Sequence, residues 1–283
     1  NSQLYNNNAM KLDKYSEFIA AYYEQKEKDI NKILTELELR LSGGTNKIIY
    51  SFSDGNLFRS DVDIFEVIME IEDFFNKTYS GEYNRAISEY LRDFSVIDKN
   101  LSQLHKTQNA ITYSSSVREK LTAAQKLVFD STVFDILDSG VREQFRGMVQ
   151  TSVLNAAANG FSIKDTISNL DKIILSSDGD KSYYNRYASQ VAVDSIGVYE
   201  GTTNQLVADE YELTNIAYIG AIIKDSRPLC RHIINDLGGK VALRKIDALI
   251  KAYPKGLKEG TNTSNFFKLR GGYHCHHSAI PVR

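Results

Sequence analysis

Between residues 222 and 283 the chain carries both of its cysteines, four of its five histidines and all three of its prolines. Cys230 and His232 stand near one end of this stretch, and His274, Cys275, His276 and His277 near the other. Thiolate and imidazole are donors that suit a divalent transition metal, with zinc first. If the two ends meet, Cys230, Cys275, His277 and His232 make a tetrahedral zinc set. The spacing is not that of a regular finger, since no C-x-x-C pair exists and each half offers one Cys with flanking His. Two other readings stand beside it. Cys230 and Cys275 form a close pair without metal, as buried thiols or a disulfide, or these residues hold unrelated positions.

Catalysis is the weaker reading of the same residues. A Cys230–His dyad would give a thiolate nucleophile, but no elbow or oxyanion loop lies nearby. A metal nuclease needs carboxylates for its ion, and the stretch offers only Asp225, Asp236, Asp247 and Glu259. The zinc-deaminase pattern requires a Glu beside its His and a paired C-x-x-C, both missing. No phosphate-binding or dinucleotide glycine pattern occurs. Asp225 and Arg227 flank a turn before Pro228, where an Asp–Arg pair would fix the loop; alternatively Arg227 and Arg231 contact phosphate.

The net charge of −2 hides an asymmetry. Residues 222–283 hold twelve Lys or Arg against four acids, a net +8, so the rest of the chain is −10. A basic module on an acidic body suggests an anionic partner, with nucleic acid first. Arg231, Lys251, Lys255, Lys258, Lys268 and Arg270 are the candidate contacts. The competing reading is a solvated face, or neutralisation of the two halves across an internal interface.

The elements that must position these residues are mostly helical. The chain has no proline before Pro228, which favours long helices. Ile30, Ile33, Leu34, Leu37 and Leu41 follow helical spacing, with Gly43-Gly44 as the expected stop and Lys47–Phe52 as a short strand or buried turn. A second helix is expected over Asp61–Thr78, capped by Asp61 or Ser60. Beyond Gly81 an apolar face runs from Tyr83 to Leu104, and His105 at its end reads as a solvated surface residue. Val117–Asn159 is helical with a break near Ser139-Gly140. Ser162 caps a helix to Ile174, a loop covers Ser176–Asp180, and Tyr183–Asp209 is a long helix rich in small residues. Asn215–Ile223 and Asn265–Leu269 read as strands, with a short helix near Leu243–Tyr253. The expected fold is therefore mainly α, a hairpin or bundle body followed by a small α/β module. Its segments are 1–110, 111–212 and 213–283.

The chain is long enough to bury a core, and no apolar run reaches the length of a membrane span. Two cysteines in 283 residues do not make a secreted disulfide scaffold, so a reducing compartment is expected. The polar start Asn1–Asn8 lacks a secretory pattern. Without an initiating Met, the chain reads as a fragment or processed form.

Taken together, Tyr218-Ile219-Gly220, D-S-R-P-L-C (225–230), P-K-G-L-K-E-G-T-N-T (254–263) and G-G-Y-H-C-H-H-S-A-I-P-V (271–282) resemble the phage Mu F-like family of minor head, or head morphogenesis, proteins. The family pattern is an Asp-x-Arg-x-x-Cys (or His) turn, a Gly-Thr segment and an Asn-Cys-Arg-His or Asn-Cys-Arg-Cys ending before an apolar Pro-Val. Asp225, Arg227, Cys230, Cys275 and His277 fall on those positions. His274 stands where the family has Asn, and His276 where it has Arg. The helical lead-in, F-S-I-K-D-T-I-S-N-L and Y-A-S-Q-V-A-V-D-S-I, is similar as well, so the likeness runs from about Val117 to Val282. It implies a virion structural protein of a tailed double-stranded DNA phage, inside the capsid near the portal and in the host cytoplasm during assembly. Its implied partners are the portal protein, a scaffold or major capsid protein, and packaged or ejected DNA. The family's exchange of Cys with His strengthens the zinc reading. Two alternatives remain: a metal-dependent nuclease or toxin-like effector using the Cys/His cluster, and a helical interaction protein whose tail is a folded cap.

Overall fold

The computed structural model describes residues 10–137, 140–176 and 181–283. It is mainly helical, with a small antiparallel sheet near the C-terminus. Helices α1 (Leu12–Ser51), α2 (Ile64–Thr78), α3 (Asn84–Arg92), α4 (Ser95–Asn109), α5 (Ser115–Leu137), α6 (Gly140–Ala158), α7 (Ile163–Ile174) and α8 (Tyr183–Glu210) come first. The tail then adds β1 (Asn215–Ile219), α9 (Pro228–Arg231), β2 (Lys240–Ala242), α10 (Ile246–Ala252), α11 (Phe266–Leu269) and β3 (Ser278–Val282). Among the described residues, no helix is long and apolar enough to cross a membrane.

Two compact units divide the chain, and neither is continuous in sequence. One gathers residues 1–26, 92–130 and 193–283, the other 27–91 and 131–192. The C-terminal module thus shares its unit with the start of α1, with α4, and with parts of α5 and α8.

In the second unit, α1 runs straight through the expected stop at Gly43-Gly44, and Lys47 to Ser51 is helical rather than a strand. A glycine in a helix costs only about 1 kcal/mol against alanine, so packing can override it. Here Gly44 leaves room for a ring: a Cβ would lie 2.0 Å from Cζ of Phe74. The cap of α2 is Asp63, not Asp61 or Ser60, with its carboxylate accepting from the Phe65 amide at 2.9 Å. Gly81 does break the helical path, as its backbone leaves helical angles inside a π-turn. Phe75 stacks on Phe145 at 5.7 Å, with Tyr184 against the latter ring. Ser162 caps α7 as expected, its hydroxyl accepting from the Asp165 amide. Ser139 of the expected break and residues 177–180 of the expected loop lie outside the described residues.

The first unit holds the tail and one apolar core, in which Val117, Leu121, Val207, Ile216, Tyr218, Leu229, Ile233, Phe266 and Phe267 are buried together. The sheet order is β2-β1-β3, all antiparallel. Alternation along β1 sends Ile216 and Tyr218 to that core. The strand stops at Ile219, short of Ile223, because Gly220 takes φ +135°, a conformation L side chains rarely adopt. The expected strand at Asn265–Leu269 is instead the single turn of α11. Asn262 caps the turn before it, reciprocally with Asn265, and a local capping box outweighs the β propensity of two phenylalanines.

His105 is not solvated: it is buried. Its Nε2 lies 3.0 Å from Oδ1 of Asn204, and its Nδ1 3.3 Å from Nδ2 of Asn109. The same Asn109 amide donates to the Pro281 carbonyl and accepts from the Arg283 amide, so it holds the end of β3. Nδ1 must therefore accept, which a protonated ring cannot do. Burial accordingly lowers the His105 pKa to about 4, against the contrary pull of Asn204. As pH falls below the unfolded value, the unfolded chain takes up the proton first, so stability is lost between pH 6.5 and about 4. We expect a loss of roughly 3 kcal/mol across that window. In urea denaturation at pH 7 and pH 4.5, His105→Gln should lose less stability than wild type; equal losses would refute the assignment.

Candidate metal centre

Each half of the Cys/His set is fixed by its own local structure. Pro228 opens α9 at its first position, where a missing N–H costs nothing, and Cys230 follows two residues later on the inward face. Cys275 and His277 sit just before β3, whose pairing runs from Ile219↔Ser278 to Asn215↔Val282. His277 packs against Gly220, where a Cβ would lie 2.8 Å from its ring. Gly271 leaves similar space for the sulfurs, since a Cβ there would meet Cys230 Sγ at 2.4 Å and Cys275 Sγ at 2.7 Å.

The result is a buried cluster in which donor atoms of Cys230, Cys275 and His277 all lie within 4.8 Å of one another and could hold a metal ion. Cys275 Sγ is 3.5 Å from Nδ1 of His277. Zinc bonds of about 2.3 Å to sulfur and 2.0 Å to nitrogen give a tetrahedral edge of about 3.5 Å, so this pair fits. The cysteines are free and share a hydrogen bond. That contact, and then burial, pushes the Cys230 thiol up; the same contact, aided by His277, holds Cys275 well below its ordinary value against its burial. A metal ion bound there would be met by thiolates, since cysteine sulfurs bind metal deprotonated. His277 Nε2 is buried without a hydrogen-bond partner among the described residues, and a cavity of about 190 Å³ adjoins the set.

His232 is not part of it. Two residues beyond Cys230 on a helical path, it points to another side. Its Nδ1 pairs with Asp236 at 2.7 Å and its ring stacks on Tyr253. Asp225 and Arg227 do not pair either. Arg227 instead donates to the Tyr273 carbonyl, tying the turn before α9 to the segment that carries Cys275.

The expected DNA contacts separate into three kinds. Arg270 is buried and cannot touch DNA: it donates to Glu200 at 2.7 Å, to the His277 carbonyl, and to the Tyr23 hydroxyl at 3.1 Å. Tyr15 completes the shell by donating to the other Glu200 oxygen at 2.9 Å. Burial opposes the guanidinium charge, yet Tyr23 and Glu200 outweigh it and hold Arg270 protonated. Arg231 and Lys258 are also committed inside the unit. Arg231 donates to the carbonyls of Ser226, Ile223 and Lys224. Lys258 pairs with Asp194 at 3.1 Å and lies over the Tyr273 ring. Lys251 and Lys255 are exposed, and Lys268 is half-buried.

Sequence reasoning missed Glu200, Tyr15, Tyr23 and Asp194 as supports of the site. One signal was present: the small residues of α8. A Cβ at Gly197 would meet Arg270 Nη2 at 1.9 Å, and one at Gly201 the Phe267 carbonyl at 2.1 Å. An acid three residues from Gly197 and one from Gly201 therefore faces whatever packs there.

Comparison of the chain with family models, with curated proteins and with solved structures finds no match in any of the three.

Breaking a buried ion pair leaves an uncompensated charge and costs about 3–5 kcal/mol. Arg270→Met should therefore lower unfolding stability on that scale. Adding Glu200→Leu should recover part of the loss, and additive losses in chemical denaturation would show that the two groups are not coupled.

Proposed function

We propose that this chain is a minor head structural protein of a tailed double-stranded DNA phage, a head morphogenesis protein that binds the portal inside the procapsid. The observation that carries this reading is the closure of the D-S-R-P-L-C turn onto the Y-H-C-H-H tail. These are two of the segments that bear the family resemblance, and their thiols, 45 positions apart in sequence, share one buried cluster. The groups in it are held rather than presented, since both thiols are buried and Arg227 ties the two segments together. That suits a structural staple. We read the ion it takes as zinc, held by Cys230, Cys275 and His277, where it would join the two halves of the tail and add to its folding energy.

The partners follow from the same resemblance: the portal, a scaffold or major capsid protein, and DNA reached by the exposed Lys251 and Lys255. In sedimentation of procapsids assembled with the neighbouring portal protein, this chain should travel with portal-containing particles; its absence from them would sink the reading. Purified protein should carry stoichiometric zinc, lost in Cys275→Ser, and chelator should lower the melting temperature of wild type. DNA binding should weaken steeply with salt, and Lys251→Glu/Lys255→Glu should bind more weakly with a shallower salt dependence.

The cavity beside the Cys/His set favours a second reading, a metal-dependent nuclease or toxin-like effector. Cleavage of plasmid DNA or RNA that His277→Ala abolishes would establish it over the first.

A further inference from the structure

We propose that Tyr218 supplies the fourth donor of the metal centre, so that the site is Cys230, Cys275, His277 and the Tyr218 phenolate. This rests on reading the Cys/His set as a metal centre. Tyr218 lies on β1 opposite Ala279, beside the strand that follows His277. Its hydroxyl is 3.3 Å from Cys230 Sγ and 3.6 Å from Cys275 Sγ. Bonds of about 2.3 Å to sulfur and 2.0 Å to oxygen give a tetrahedral edge of about 3.5 Å. With the Cys275–His277 separation of 3.5 Å, three of the six edges thus agree with one four-cornered site.

The surroundings of the phenol support the same assignment. Its ring is clamped between His277, stacked at 5.4 Å, and Phe266 at 5.9 Å. A buried tyrosine hydroxyl ordinarily finds an oxygen or nitrogen partner, but here its partners are two sulfurs, which are weak donors and acceptors. A cation at their centre gives the oxygen a strong partner.

The competing source of a fourth donor is water from the adjoining cavity. Cys230, Cys275 and His277 line that cavity, and Tyr218 does not. The two sources therefore approach separately, and a water ligand would leave the phenol unchanged. Binding through Tyr218 releases the thiol and phenol protons to solvent while the metal keeps its oxidation state. Four protein donors also make a closed site, the form of structural zinc, whereas catalytic sites keep a position open.

The test is titration of the reduced, metal-free full chain with Zn(II) and Co(II), using wild type, Tyr218→Phe and Cys275→Ser. Zn(II) added to wild type should raise a tyrosinate difference band in the near ultraviolet, and this readout needs no variant to fold. Tyr218→Phe fills the same space; it should bind roughly tenfold or more weakly, lose that band, and give a Co(II) spectrum that responds to added imidazole. If wild type binds metal without a tyrosinate band, and Tyr218→Phe matches it in affinity and Co(II) spectrum, the Tyr218 assignment falls alone. If wild type binds no metal, the assignment and the metal centre fall together.

Discussion

The tail of this chain depends on a charge that has nowhere else to go. Arg270 and Glu200 are both buried, and each is satisfied only when α8, the start of α1 and the segment before β3 come together. An ion of this size stripped of water costs several kcal/mol unless paired. A slipped register of the tail would strand it, so the pair acts against alternatives more than it adds net stability. Arg270 even accepts a backbone at φ 42° and ψ −118°, a conformation that costs of order 1–3 kcal/mol and persists only where the surroundings over-determine it. The guanidinium also donates to the His277 carbonyl. The same group that locks the tail in register therefore positions His277, one of the three residues that could hold a metal ion.

From there the geometry propagates through the backbone. With His277 held, β3 begins at Ser278 and pairs with β1, which carries Tyr218 toward the sulfurs. On the other side, Arg227 bridges to Tyr273 and brings the Cys230 turn into place. Asp194 accepts from the His274 amide and pairs with Lys258, fixing the turn before Cys275. None of these supports is itself a soft donor, and together they confine the donors to within 4.8 Å. Preorganisation of this kind lets three or four side chains bind an ion without each losing much freedom on binding.

Helices were legible because their signal is local and repeated. The faces through Ile30, Leu34, Leu37 and Leu41, and the Ser162 cap, follow from period and cap chemistry alone. Two of the misreadings, at Gly43-Gly44 and at His105, come from tertiary contacts overriding local signs. Gly43-Gly44 looked like a stop until Phe74 needed the space. His105 looked solvated because its neighbours Lys106 and Gln108 are polar, while its partners Asn204 and Pro281-bound Asn109 lie far off or one turn away. At the site, Cys230, Cys275 and His277 were readable from residue type. His232 was not excluded by type, although the two-residue step from Cys230 along a helix already argued against it. The approach of Tyr218 to the two sulfurs could not be read from the sequence, since it arises only when β1 and β3 pair.

Charge shows the same limit in another form. The +8 of residues 222–283 suggested a surface for an anion, but a segment's net charge is not the charge it presents. Arg270 and Lys258 are matched by Glu200 and Asp194, acids from the part of the sequence that carries −10, and both pairs lie inside one unit. For those two cations, internal neutralisation is the right account. Arg231 is held by three carbonyls through its Nε and Nη2. Any attraction for DNA must then come from side chains such as Lys251 and Lys255, which the fold leaves in water. Their field is set by exposure and salt, not by the count of basic residues in the segment. The basic side chains of the tail thus fall into two groups, those that build the site and those left exposed to water.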